Sequence, residues 1–122
     1  MIDHFNLPVS DLARSRRFYE RVLAPLGFQF LMQDGDAVGF GTDTWRFGIV
    51  ATLTPFPSLH LAFTAGSRVA VDGFFEAATS LGAQANGPPG IRPHYDPDYY
   101  AAFVLDPDGH NIEAVCRKRS AG

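Results

Sequence analysis

At 122 residues, 46% hydrophobic and 13% aromatic, the chain is the size of one ordinary domain with enough apolar side chains to bury a core, which excludes a disordered segment. A net charge of -3 and a pI near 5.7 provide no basic field for nucleic acid or an anionic membrane surface, and no apolar run approaches the ~20 residues of a membrane span. The opening segment lacks the basic and apolar regions of a signal peptide, and the single Cys116 has no internal disulfide partner, so the cytoplasm is the expected compartment.

In chain order, residues 2–9 place Phe5, Leu7 and Val9 on one face and His4 and Asn6 on the other, the alternation of a strand. Ser10 or Asp11 then caps a helix whose Leu12, Phe18, Tyr19, Val22, Leu23 and Leu26 form one apolar stripe, and Gly27 ends it. Residues 28–33, 37–41 and 45–53 read as three short strands joined by turns at 34–36 and 42–44. After a proline-bearing connection at 54–57 the order begins again. Leu59, Leu61 and Phe63 alternate around His60, Ser67 caps a second helix with the stripe Val71, Phe74, Phe75, Ala78 and Leu81, and Gly82 ends that helix. His4 and Gly27 lie 23 positions apart and His60 and Gly82 lie 22 apart, the mark of two copies of one unit. Residues 86–97 depart from the first copy: they are rich in turn formers yet carry polar and aromatic groups, so a long functional loop is expected there. Two apolar runs, 99–105 and 111–116, flank Asp106-Pro107-Asp108-Gly109 and close the chain as a strand pair that buries Cys116.

Glu113 stands in that last strand among Ile112, Ala114, Val115 and Cys116, with no lysine or arginine within three residues. Burying it unpaired would cost on the order of several kcal/mol, so it either points to solvent from a wet face or meets a cation or metal ion. His4 and His60 each share a strand face with small or polar neighbours. Two imidazoles and one carboxylate make a set that holds a divalent metal and leaves coordination positions open.

The opening His4 strand with Leu7-Pro8-Val9-Ser10-Asp11-Leu12, then Arg17-Phe18-Tyr19, Leu26-Gly27-Phe28, His60-Leu61-Ala62-Phe63 and Asp106-Pro107-Asp108-Gly109-His110-Asn111-Ile112-Glu113 together resemble the vicinal oxygen chelate superfamily. That superfamily includes glyoxalase I, extradiol dioxygenases, fosfomycin-resistance proteins and bleomycin-binding proteins. Gly90-Ile91-Arg92-Pro93-His94-Tyr95 and Tyr99-Tyr100-Ala101-Ala102 are similar to a small glyoxalase-like subgroup. The resemblance implies an α+β fold: a single domain over 1–122 with two βαβββ modules, about 1–54 and 57–118, forming a cupped eight-stranded mixed sheet with the helices outside. It further implies metal ligands at His4, His60 and Glu113, a divalent ion (Mn, Fe, Zn, Ni or Mg), and a homodimer. A fourth ligand would fall near 45–49, where one face offers Trp45, Phe47 and Ile49 and the other Arg46, Gly48 and Val50, none of them a metal ligand.

For the activity, the resemblance implies a metal-dependent lyase or isomerase acting on a small substrate that chelates the ion through adjacent oxygens. His94 is the expected catalytic proton carrier; Asn6, Arg46, Thr64, Arg92, Tyr95, Tyr99 and Phe103 are the expected substrate contacts. His94 stands 19 positions before Glu113, as in the dioxygenases, but Phe103 occupies their tyrosine position and has no hydroxyl to donate. Fosfomycin resistance calls for a lysine, serine and arginine cluster, of which residues 83–105 offer Arg92. The alternatives are an extradiol-type dioxygenase and a non-catalytic binder that sequesters a flat drug between aromatic rings.

Overall fold

The computed structural model describes residues 1–119; residues 120–122, the end of the expected domain span, lie outside the described residues. The chain runs β1 (Phe5–Val9), α1 (Leu12–Leu23) continued by a 3-10 turn (Ala24–Leu26), β2 (Gln29–Asp34), β3 (Ala37–Gly41) and β4 (Phe47–Ala51). The order then repeats as β5 (His60–Thr64), α2 (Arg68–Ser80), β6 (Ala85–Ile91), β7 (Tyr100–Leu105) and β8 (Asn111–Cys116). These are two βαβββ modules. Their hydrogen bonds form two four-stranded mixed sheets, β1-β4-β3-β2 and β5-β8-β7-β6, in which the first strand of each module lies parallel to its last.

Local chemistry explains the helix boundaries. Of the two candidate caps for α1, Asp11 is the one used: its carboxylate accepts from the Arg14 N–H at 3.1 Å. Ser67 does the same for α2, accepting from the Ala70 N–H at 3.1 Å. Gly27, with φ of 89°, takes the left-handed turn after the 3-10 segment that a side chain would disfavour.

Phe18, Tyr19, Val22 and Leu23 of α1 and Val71, Phe74 and Ala78 of α2 are buried, and the helices pack on each other as well as on their own sheets. One apolar core runs through both modules, with Leu7, Phe40 and Ile49 from the first joined to Val104 and Ile112 from the second. At the seam Phe47 and Phe63 meet edge-on with centroids 5.0 Å apart. The other face of each sheet carries no helix, and there Asn6, His60, Phe103 and Glu113 are found.

The turn between β7 and β8 fastens the modules together. The Tyr19 hydroxyl donates to buried Asp106 at 2.5 Å, and Asp106 also accepts from the Asp108 and His110 N–H groups at 2.9 Å. Ser10 gives its N–H and hydroxyl to Asp108. Fully buried His110 accepts the Leu59 N–H at Nδ1 and places Nε2 2.9 Å from the Pro8 carbonyl, which sets Nε2–H as the donor. His110 carries no metal-binding geometry; it is a joint between the two units.

Some boundaries differ from the sequence expectation. His4 precedes β1 and Trp45 precedes β4, because the parallel ladder between these strands starts at Phe5 and Phe47. Residues 85–91 form an edge strand where a loop was expected. Pro88 and Pro89 are accommodated because pairing with β7 skips from Gly87 to Gly90, so the missing N–H groups break no ladder bond.

Candidate metal centre

Glu113 is 2% exposed, which removes the wet-face reading of its strand. Register sets its neighbours: Ala62 on β5 lies to one side and Phe103 on β7 to the other. One carboxylate oxygen accepts from the Tyr99 hydroxyl, and the other, Oε1, lies 3.1 Å from His60 Nε2. His60 Nδ1 lies 3.0 Å from the Asn111 carbonyl, an acceptor, so Nδ1 carries a proton and Nε2 is the ring atom that faces Glu113 Oε1. An imidazole nitrogen and a carboxylate oxygen thus face one another, and a proton or a metal ion shared between them satisfies both; these are the donor types of a metal ligand set. The imidazole is half-exposed, so one side of the pair is open to solvent.

Tyr99 belongs to this arrangement in a way the sequence did not reveal. Expected as a substrate contact, it is 8% exposed and holds the carboxylate. Burial, then the hydrogen bond to Glu113 and its charge, push the phenol up to about 12, with Arg117, 4.8 Å over the ring, acting the other way. The signal available in the sequence was alternation: Tyr99 lies four residues before Phe103, the register partner of Glu113, and so falls on the same side of the sheet, which needs the turn at 106–109 to be located.

His4 stands apart. Its Nδ1 bonds Asp3 at 2.8 Å, and with Asp3, Asn6, Thr44, Trp45 and Arg46 it lines a separate hollow on the first sheet. The Asp3 carboxyl is held below its ordinary range by His4 and then Arg46. Among the described residues, no three His, Cys, Asp or Glu side chains converge on a metal-sized space. Asn6 and Arg46 are also occupied: Asn6 accepts the Trp45 indole N–H at 2.9 Å, and Arg46 bonds the Asp3 carboxylate at 3.1 Å. The Trp45 indole lies across Gly39 and Gly48, and a Cβ on Gly48 would fall 2.5 Å from its Nε1. The register pairs Asn6 with Gly48 as it pairs Ala62 with Glu113, so Gly48 holds the place where a fourth ligand would stand.

The remaining candidates form a rim on the second sheet. Phe103 stacks on His60 at 6.1 Å, and Arg92 lies over Phe103 at 5.4 Å. His94 packs at a tilt against Tyr95, with ring centroids 4.1 Å apart, and Tyr95 does the same against Tyr99 at 5.0 Å, so two rings stand between His94 and the pair. Tyr95 is 61% exposed. Thr64 is exposed on the same face of β5 as His60, at the edge of an apolar groove with Phe5, Phe28 and Phe47.

A family model of the Glyoxalase/Bleomycin resistance protein/Dioxygenase superfamily matches residues 1–114, and the chain belongs to that superfamily. It is 32% identical over 123 residues to the Bacillus subtilis (strain 168) protein YqjT, covering 92% of this chain and 95% of that one. The crystal structure of a glyoxalase/bleomycin resistance protein from Albidiferax ferrireducens T118 superposes with a TM-score of 0.82 at 28% identity, covering 93% of this chain and 97% of that one. The fosfomycin resistance protein FosX from Mesorhizobium loti shares the fold at a TM-score of 0.68 and 23% identity, covering 95% and 91% of the two chains. Superfamily members include lactoylglutathione lyase, fosfomycin-resistance proteins and dioxygenases, which commonly use divalent metal ions on small-molecule substrates. No helix among the described residues is long and apolar enough to cross a membrane.

Proposed function

We propose that the protein is a metal-dependent lyase or isomerase of the glyoxalase type, active as a homodimer. The observation that carries this reading is the buried Glu113 carboxylate, one oxygen held by Tyr99 and the other aligned with His60 Nε2. His60 and Glu113 would hold the ion, with His4 of a second copy as the third ligand, since His4 lies away from the pair within one chain. The unpaired edges of β1 and β5 support this pairing, because a second copy could cover them. When bound, the ion would act as a Lewis acid toward adjacent substrate oxygens.

The chain's own residues would do the rest. The Asn111 carbonyl fixes the His60 tautomer, and Tyr99 keeps Glu113 from turning away. His94, exposed at the rim, would carry the proton; His94→Gln should slow turnover about a hundredfold or more while leaving metal content unchanged. Phe103 and Trp45 would wall the substrate from opposite sheets.

Elemental analysis and calorimetry on the wild type and Glu113→Gln test the ligand set. One ion per chain in the wild type and loss in the variant are expected; equal binding would remove Glu113 from the site. Light scattering should show a dimer at micromolar concentration, and His4→Ala should weaken metal binding in it. The exposed Tyr95 ring favours a second reading, sequestration of a planar ligand. Tight binding of such a ligand by metal-free protein, with no turnover of hydroxythiol adducts, catechols or oxo acids, would select it.

A further inference from the structure

Across the helix-free face of the second sheet, paired residues make one row: Ala62 on β5, Glu113 on β8, Phe103 on β7 and Gly87 on β6. His60 bends over the first end of this row, onto Glu113 and against Phe103. The far end has no side chain of its own, because Gly87 is a glycine, and the Arg92 guanidinium occupies that vacancy. A Cβ on Gly87 would lie 3.2 Å from Arg92 Nη2, and one on Gly90 3.1 Å from Nη1, so these two glycines form a cradle for the guanidinium. Phe103 lies under it, with the ring centroid 5.4 Å from Cζ.

Arg92 is held but not neutralised. Nη2 donates to the Pro88 carbonyl at 2.7 Å, and among the described residues no carboxylate pairs with the guanidinium. Each of the other described ion pairs on this chain engages Arg14, Arg16, Arg46 or a histidine. A partly buried guanidinium with free donors, fixed in direction by a carbonyl and a ring, is preorganised for a planar anion.

We infer that Arg92 is the specificity determinant for a substrate carboxylate, and that the substrate is a small monocarboxylic acid with its chelating oxygens at the opposite end of an apolar spacer. This rests on the proposed metal site for the position of the chelating end. From Glu113 on β8 to the guanidinium over β6 is two strand spacings, roughly 10 Å, which a short chain or one ring with a side arm spans. The spacer would lie on Phe103, which explains an unhydroxylated ring in the middle of the row. One guanidinium matches one carboxylate in charge and fork geometry; a phosphate dianion would call for the additional cations that this row lacks.

Calorimetric titration of zinc-loaded protein, with a redox-inert ion that leaves catechols intact, tests the assignment with two probes. Dihydrocaffeate carries a catechol and a carboxylate at opposite ends of an apolar arm, and its methyl ester lacks only the charge. The wild type should hold the acid roughly ten- to hundredfold more tightly than the ester. Arg92→Met, which keeps an apolar stem over Phe103, should bind the ester as the wild type does and lose the preference, and Arg92→Lys should restore part of it. Equal affinity of the wild type for acid and ester, or a preference that survives in Arg92→Met, would overturn the inference. A second arm uses metal-free protein with phenylpropionate and phenylpropionamide, neither of which chelates. Preference for the acid there, lost in Arg92→Met, supports Arg92 even if zinc fails to bind at Glu113; absence of that preference alongside intact zinc binding overturns Arg92 and leaves the metal reading standing.

Discussion

The two sheets share one topology, and β1 pairs β4 in the same register as β5 pairs β8, yet their helix-free faces differ in what they carry. In the first, Asn6 pairs with Gly48, and the Trp45 indole lies over the glycines and bonds Asn6. In the second, the matching pair is Ala62 and Glu113, and the space is kept for a carboxylate with a histidine and a phenol around it. A duplicated backbone therefore fixes where a ligand can stand and leaves the single side chain at each register position to decide whether one does. At this register position the first face presents a wall, and the second presents a buried carboxylate.

The largest effect should come from reversing that division. Glu113→Gln should lower metal affinity by more than the roughly 10–100-fold typical for losing an outer-shell partner, whereas Asn6→Ala at the matching place should leave it unchanged; calorimetry on both variants checks this. Equal losses would mean that Asn6 also takes part in holding the ion.

Tyr99→Phe sharpens the same contrast and should cost roughly 10–100-fold in metal affinity, since in the proposed site the phenol would orient Glu113 as an outer partner of the ion. It should also erase an alkaline feature. The folded phenol loses its proton at about 12 against 10.0 when unfolded, so it contributes stability in full below pH 10, and that contribution fades as pH rises toward 12. Tyrosinate absorbance against pH, followed on the wild type and the variant, should show one high-pH step missing.

Gly48→Ala attacks the wall instead. The new methyl would meet the Trp45 indole, and overpacking of this kind costs about 1–3 kcal/mol. Denaturant unfolding should record the loss, and the fluorescence of the single tryptophan should shift as the ring is displaced. The smallest effect compares the two helix starts: Asp11→Ala and Ser67→Ala should each lower stability by about 1 kcal/mol, because both side chains accept one N–H in the same geometry.

Much of the architecture was readable because it follows from local rules. Apolar alternation around His60 and the helical stripes carry the periods of strand and helix, Ser67 and Asp11 are capping residues, and the spacing from each histidine to its closing glycine exposes the duplication. Residues 86–91 read as part of the 86–97 loop for the same reason: Gly87-Pro88-Pro89-Gly90 has turn chemistry locally, and only hydrogen bonds from β7 make it a strand. The site was legible as a list of ligand-type residues, since a carboxylate inside an apolar run needs a partner wherever it is found.

What the sequence determined by itself was therefore the repeated unit, the capped helices, and the residue types able to hold an ion. Tertiary structure alone decided which of them meet. Pairing of β5 with β8 carries His60 to Glu113, pairing of β7 with β8 brings Tyr99 to the same carboxylate, and the Gly87 gap on β6 gives Arg92 its seat. It also separated His4 from that pair and converted His110 into a joint between modules. The physical reason is that a strand's period states which face a side chain takes, whereas its partner is set by register between segments distant in the chain, a property of the folded sheet.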